Sequence, residues 1–245
     1  MKVMKIKNRV VLVTGGGRRV GAAISRALAR RGAKVVIGAN ESRAEAEAQV
    51  AAIRRAGGDA QCVFGDLTKP AVCRRIVRQA HEAFGRLDVL VNNAAVFLKT
   101  PFGKVSERAW DATIGVNLKG SFFCAQDAAR FLPDGGKIIN IADWSGIRPY
   151  VDYLPYCISK AGVIALTRGL ARTLAPRIAV NAIAPGPVLL PEDFDDEEKA
   201  TIIRRTPLAR IGRPDDIVNA VLFLIEGTDF MTGATLVLDG GRLIA

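Results

Sequence analysis

Residues 9–21 read Arg9-Val10-Val11-Leu12-Val13-Thr14-Gly15-Gly16-Gly17-Arg18-Arg19-Val20-Gly21. Arg9 to Thr14 is an apolar run of buried-strand length. Three glycines follow at once, and Ala22 to Arg31 then reads as a helix. Strand, glycine turn and helix in that order make a phosphate cradle. Glycine lets the backbone approach a pyrophosphate, and the helix start presents free N–H groups with partial positive charge.

The same unit recurs along the chain. Further strands are expected at Lys34–Ile37, Ala60–Phe64, Leu87–Val91, Lys137–Ile141, Ile178–Ala182 and Thr235–Leu238. Between them lie helical stretches at Arg43–Arg55, from Pro70 onward, from about Ser106 to Phe131, and from the Tyr156 region to about Leu174. Strands alternating with helices predict an α/β fold, a Rossmann-type doubly wound parallel sheet of about seven strands with helices on both faces. Ligands of such sheets bind beyond the carboxyl ends of the strands. The segments Gly65-Asp66-Leu67-Thr68 and Asn92-Asn93-Ala94-Ala95 fall there, so Asp66, Leu67, Asn93 and Ala94 join Gly15, Arg18, Arg19 and Gly21 as candidate cofactor contacts.

Composition narrows the class. The 245 residues, 49% hydrophobic and 24% charged, suffice for one domain over 1–245, and no linker or repeat divides them. The first strand begins too early for a signal peptide, and no apolar run reaches the roughly 18 residues of a membrane span. Cys62, Cys73, Cys124 and Cys157 lack metal-ligand spacing and read as reduced thiols of a cytoplasmic protein. His81 is the single histidine, which argues against a Ser-His-Asp hydrolase and a histidine-ligated metal. The net charge of +11 comes from scattered arginines, without a basic tract or an aromatic–basic recognition motif, so no nucleic-acid partner is expected.

The chemistry-bearing pattern is Tyr156-x-x-x-Lys160, with Asp143 upstream. Residues at i and i+4 share a helix face. An ammonium about 4 Å from a phenol favours the phenolate by up to about 4 kcal/mol at an effective dielectric near 20. That draws the tyrosine toward a working range for proton exchange. By itself the spacing also fits a surface pair on any amphipathic helix.

Taken together, Thr14-Gly15-x-x-x-Arg19-x-Gly21, Asp66, Asn92-Asn93-Ala94, Asn117, Tyr156-x-x-x-Lys160 and Pro185-Gly186 resemble the short-chain dehydrogenase/reductase family over essentially the whole chain. The resemblance implies hydride transfer with a nicotinamide nucleotide. In it Tyr156 is the acid/base, and Lys160 holds the nicotinamide ribose and tunes the tyrosine. Asn117 anchors a proton-relay water, Asp66 bonds adenine, and Asn93, Pro185 and Gly186 help to seat the cofactor. It also implies a homotetramer, built on the helices around Ser106–Phe131 and Ile158–Leu174 and on the last strand.

Two departures are informative. The family usually has glycine at Arg19 and serine at Asp143, and both replacements resemble its pteridine reductase branch. Phe97 lies where that branch stacks a ring on the pterin, whereas Ala95 replaces its usual serine. An ionised Asp143 would repel the oxyanion of a reduced ketone, but a protonated one can deliver a proton to the nitrogen of a C=N bond. Arg19 can span a phosphate and a flat heterocycle. Plainer roles stand beside these: Arg19 neutralising phosphate, Phe97 filling the core, and Ser145 taking the serine position.

Charge also selects the cofactor. An acid at the end of the second strand would bind the ribose 2′-hydroxyl of NAD, but Ala39 stands there. Arg18 can meet a 2′-phosphate with help from Asn40 or Ser42, which predicts NADPH, although Glu41 opposes it if turned inward. The substrate loop is expected over about 187–206. There Leu189, Leu190 and Phe194 are candidate pocket residues, and Asp193, Asp195, Asp196, Glu197 and Glu198 open a solvated lid helix. The expectation is an NADPH-dependent reductase of a pterin C=N bond, with Arg19, Phe97, Asp143, Tyr156 and Leu189 on the substrate. Its rivals are a carbonyl reductase of the 3-oxoacyl or sugar-alcohol type and a non-catalytic nucleotide sensor.

Overall fold

Alternation decides which way each strand residue faces. The computed structural model describes residues 3–190 and 194–245. Its strands are β1 Val10–Thr14, β2 Lys34–Ala39, β3 Asp59–Phe64, β4 Val89–Asn92, β5 Gly136–Ile141, β6 Ile178–Pro185 and β7 Thr235–Leu238. They form one parallel sheet in the order β3-β2-β1-β4-β5-β6-β7. Within β1, Val11 and Val13 pack in one apolar layer while Val10 and Leu12 pack in the other. Both faces are covered, so the strand reads as an unbroken apolar run.

The helices are α1 Arg19–Arg30, α2 Arg43–Arg55, α3 Pro70–Phe84, α4 Glu107–Ile114, α5 Ser121–Ala128, α6 Leu154–Leu174, α7 Asp196–Arg204 and α8 Pro214–Leu222. Residues of α1, α2 and α8 share the first layer, and those of α3, α5 and α6 the second. The chain order reverses between β1 and β4, which opens a crevice above their carboxyl ends.

Two expectations need correction in detail, and one helix is new. Strand β6 runs on to Pro185 rather than ending at Ala182, because β7 pairs with its last residues, Ala182 to Pro185. The helix expected through Ser106–Phe131 is two helices joined by a π-helical turn at Gly115–Gly120. Gly115 and Gly120 press that turn onto Thr68 and Leu67, where a Cβ would meet side-chain atoms at 3.0 Å in each case. Helix α8 was not anticipated, although Pro214 at its start and Asp215 and Asp216 in its first turn are start signals. No helix among the described residues is long and apolar enough to cross a membrane.

Candidate active site

A cleft of about 900 Å³ lies over the carboxyl ends of the strands. At one end the glycine turn forms its floor. Gly15 has φ +62°, and a Cβ on Gly21 would meet the Gly15 carbonyl oxygen at 2.1 Å, so neither position tolerates a side chain. Asn93 locks this turn to β4. Its N–H donates to Thr14 Oγ1 at 3.0 Å, and its Nδ2 donates to the carbonyls of Thr14 (2.9 Å) and Gly15 (3.1 Å). Asn93 thus shapes the cradle through backbone contacts. Arg19 holds a left-handed φ of +51° in the place where glycine is usual, a conformation that costs about 1–3 kcal/mol. Its guanidinium donates to the Leu189 carbonyl and ties the glycine turn to the substrate loop.

Arg18, Asn40, Glu41 and Ser42 border the same end, with Ala39 buried at the tip of β2. Asp66 also lines it. The Thr68 N–H and hydroxyl donate to Asp66 Oδ1 at 2.9 and 2.8 Å, and the backbone bond foremost holds its carboxyl below the ordinary value. Leu67, Ala94, Pro185 and Gly186 complete the wall. These residues fit a dinucleotide: glycines at the closest approach, an ionised carboxylate for a base amine, and Arg18 with no acid at residue 39 for a 2′-phosphate.

The reacting end is built on β5 and α6. Asp143 follows β5 with extended backbone; its Oδ1 accepts the Ser145 N–H at 2.8 Å and its Oδ2 accepts the Tyr156 hydroxyl at 3.0 Å. Asp143 therefore occupies the position facing the tyrosine, and Ser145 is fully buried outside the cleft lining. Lys160 Nζ donates to the Ile141 carbonyl at 2.8 Å and lies 5.6 Å from the centre of the Tyr156 ring. A Cβ on Gly146 would meet the Ala161 nitrogen at 2.8 Å, so that glycine lets the Asp143 loop sit against α6.

Electrostatics here run opposite to the expectation for Tyr156. Burial, and then the neighbouring Asp143, raise the phenol well above its ordinary value. Burial depresses Lys160 to about 8, which weakens the ammonium field that was expected to acidify the tyrosine. Burial likewise raises Asp143 above the usual carboxylate value, the direction a proton donor requires.

Asn117 lies in the π-helical turn, not in the cleft lining. Its Oδ1 accepts the Val96 N–H at 2.8 Å; its Nδ2 donates to the Val96 carbonyl and to Ser159 Oγ, both at 3.0 Å. Its own carbonyl accepts the Ser121 hydroxyl at 2.8 Å. Asn117 thus joins the turn, the Val96 segment and α6.

At the substrate end, Phe97 stacks on Tyr153 with centroids 4.2 Å apart and meets Tyr156 edge-on at 4.7 Å. It is 43% exposed, so the core-filling alternative fails. Tyr150, Tyr153 and Tyr156 are the chain's three tyrosines, and all line the cleft with Trp144 and Arg242. Of these, Tyr150, Tyr153, Trp144 and Arg242 were not singled out from sequence. The three-residue spacing of the tyrosines was the available signal. Leu189, Leu190 and Phe194 border the cleft as expected, and the capping box of Asp195 and Glu198 opens α7. Asp193 lies outside the described residues.

Residues 17–242 match the family model described as enoyl-(acyl carrier protein) reductase. The chain is 38% identical, over 98% of both chains, to (2S)-[(R)-hydroxy(phenyl)methyl]succinyl-CoA dehydrogenase subunit BbsD of Thauera aromatica. Among solved structures, it superposes with a TM-score of 0.91 and 35% identity on a blue fluorescent protein from a metagenomic library in complex with NADPH, covering 97% of this chain and 99% of that one. FolM alternative dihydrofolate reductase 1 from Brucella canis, complexed with NADP, gives a TM-score of 0.92 and 36% identity, covering 98% and 96%. The fold and site define a nicotinamide-dependent oxidoreductase. The chain belongs to the short-chain dehydrogenase/reductase family.

Proposed function

We propose that the protein is an NADPH-dependent reductase of a C=N bond in a pterin-type substrate. The observation that carries this reading is the 3.0 Å bond between Tyr156 and a buried Asp143 whose carboxyl is raised. Two hydrogen-bonded groups that both favour their protonated forms make a proton source for the substrate nitrogen. The bound dinucleotide supplies the hydride. Gly15, Arg18, Arg19, Gly21, Asn40, Ser42, Asp66, Leu67, Asn93, Ala94, Pro185 and Gly186 seat it, and Lys160 orients its ribose. Asp143 or Tyr156, hydrogen-bonded to each other, protonates the substrate nitrogen, and the proton lost is replaced from solvent. Asn117 acts by fixing Ser159 and so the start of α6. Phe97 and Tyr153 present aromatic walls to a flat ring, and Arg19 and Leu189 close over it. Similarity to the NADP-bound FolM protein supports this reading, and the family resemblance supports a cytoplasmic homotetramer.

A second reading, carbonyl reduction of the 3-oxoacyl or sugar-alcohol type, draws support from the likeness to BbsD, a dehydrogenase by name. NADPH oxidation with dihydrobiopterin, dihydrofolate and a panel of ketones across pH separates the two. Pterin turnover that rises toward acid and collapses in Asp143→Ala is expected. Ketone turnover alone, indifferent to Asp143→Ser, would establish the second reading instead.

A further inference from the structure

Beyond Trp144 the cleft ends in donors without acceptors. The guanidinium of Arg242 lies 5.2 Å over the Trp144 ring, and its Nη1 donates to the Ile202 carbonyl at 3.0 Å. Among the described residues no carboxylate forms an ion pair with it, and its other N–H groups make no hydrogen bond. The acid nearest in sequence, Asp239, spends its two oxygens on the N–H groups of Gly241 (2.8 Å) and Leu243 (2.7 Å). Tyr150 is in the same condition. The Trp144 indole N–H donates to its hydroxyl oxygen, and among the described residues the hydroxyl proton finds no acceptor. Both side chains line the cleft.

A half-buried, unpaired guanidinium and a donor hydroxyl beside it are costly unless something accepts from them. Burial foremost, and then Arg205 and Arg148, push the Arg242 guanidinium below its ordinary value. Besides Glu41, Asp66 and Asp143, two further acids border the cleft. Glu198 has one oxygen held by the Asp195 N–H at 2.9 Å in the capping box, and Asp152 neighbours Tyr153 in the chain. Ring contacts connect this end to the reacting one: Trp144 to Tyr150 at 5.6 Å, Tyr150 to Phe97 at 6.3 Å, Phe97 to Tyr156 at 4.7 Å. Tyr156 and Arg242 are thus joined along the cleft by a run of aromatic rings.

We propose that Arg242 and Tyr150 form a subsite for a carboxylate carried by the substrate at a distance from the bond being reduced. Arg242 supplies charge and paired N–H donors, and Tyr150 adds a neutral donor. The subsite deepens the pterin reading and rests on it only for the nature of the reducible bond.

The test uses substrate pairs that differ in carboxylate: dihydrofolate against dihydrobiopterin, and an aryl keto acid against its methyl ester. For each pair the ratio of kcat/KM, acid over neutral, is compared between the native chain, Arg242→Met and Arg242→Lys. Losing one partner of a charged pair is expected to lower the ratio about tenfold or more through KM in Arg242→Met, with partial recovery in Arg242→Lys. An unchanged ratio in a reduced pair overturns the subsite. If the keto acid pair responds and neither pterin is reduced, the subsite stands and the C=N reading falls. If pterins are reduced but their ratio ignores Arg242, the reverse holds. Should no pair turn over, folate titrated into NADP-loaded protein, followed by Trp144 emission in a Trp110→Phe background, decides it. Weaker folate binding in Arg242→Met upholds the subsite and equal binding overturns it.

Discussion

Burial raises Asp143 above its ordinary carboxylate value, so the folded chain holds that proton to higher pH than the unfolded chain does. The stabilising contribution of the protonated form is full below the unfolded value and is lost as pH rises through the folded one. Asn carries no such titration. Asp143→Asn is therefore expected to raise Tm relative to the native chain at pH 8, with the gap shrinking toward pH 4, while pterin turnover falls about 10²- to 10⁴-fold. Thermal melts across pH check the first part, and a gap independent of pH would sink it. Ala39 sits where an acid would meet a ribose hydroxyl. Ala39→Asp is expected to lower kcat/KM for NADPH by about 100-fold, through charge repulsion with the 2′-phosphate, and to raise it for NADH. Parallel assays with the two nucleotides read this out.

Elements hold these side chains in register. The π-helical turn between α4 and α5 aims Asn117 at Val96 and Ser159. Asn117→Ala leaves several of those buried groups unpaired and is expected to cost about 2–4 kcal/mol in urea unfolding. Gly146 allows the Asp143 loop to touch α6 at Ala161 and Lys160. A methyl there forces the two apart. Gly146→Ala is expected to reduce kcat about 100-fold, in line with the cost of a misplacement near 1 Å, with the nucleotide Kd little changed. Equal losses in kcat and nucleotide affinity would show that the loop matters for binding rather than for proton delivery.

For the whole molecule, the surface of α4, α5 and α6 exposes Trp110, Phe122 and Ile158, each about 40% accessible. Apolar side chains grouped on adjoining helices are suited to contacts between copies. Sedimentation is expected to give four times the 26.2 kDa chain mass, and Trp110→Glu with Phe122→Glu to give a smaller species with a lower Tm. A single-chain mass for the native protein would refute this. Much at this scale was legible beforehand. The seven strands, the glycine turn at Gly15–Gly21 and the capped helix after Asp195 follow from local patterns: apolar runs, glycine turns and capping residues. The π-helical turn was not legible, because packing of Gly115 and Gly120 on Leu67 and Thr68 widens a helix whose own sequence looks regular.

The sequence by itself determined the parallel sheet, the glycine turn after its first strand and the shared helix face of Tyr156 and Lys160, since each follows from a local pattern. Only the tertiary structure decided in which direction the proton affinity of each buried group moves. Spacing predicted an acidified Tyr156, whereas burial on all sides raises both it and Asp143 and leaves Lys160 at about 8. It likewise brought Arg242 onto Trp144 beside Tyr150. Desolvation and long-range contact are properties of the packed volume, and no local pattern in the chain encodes them.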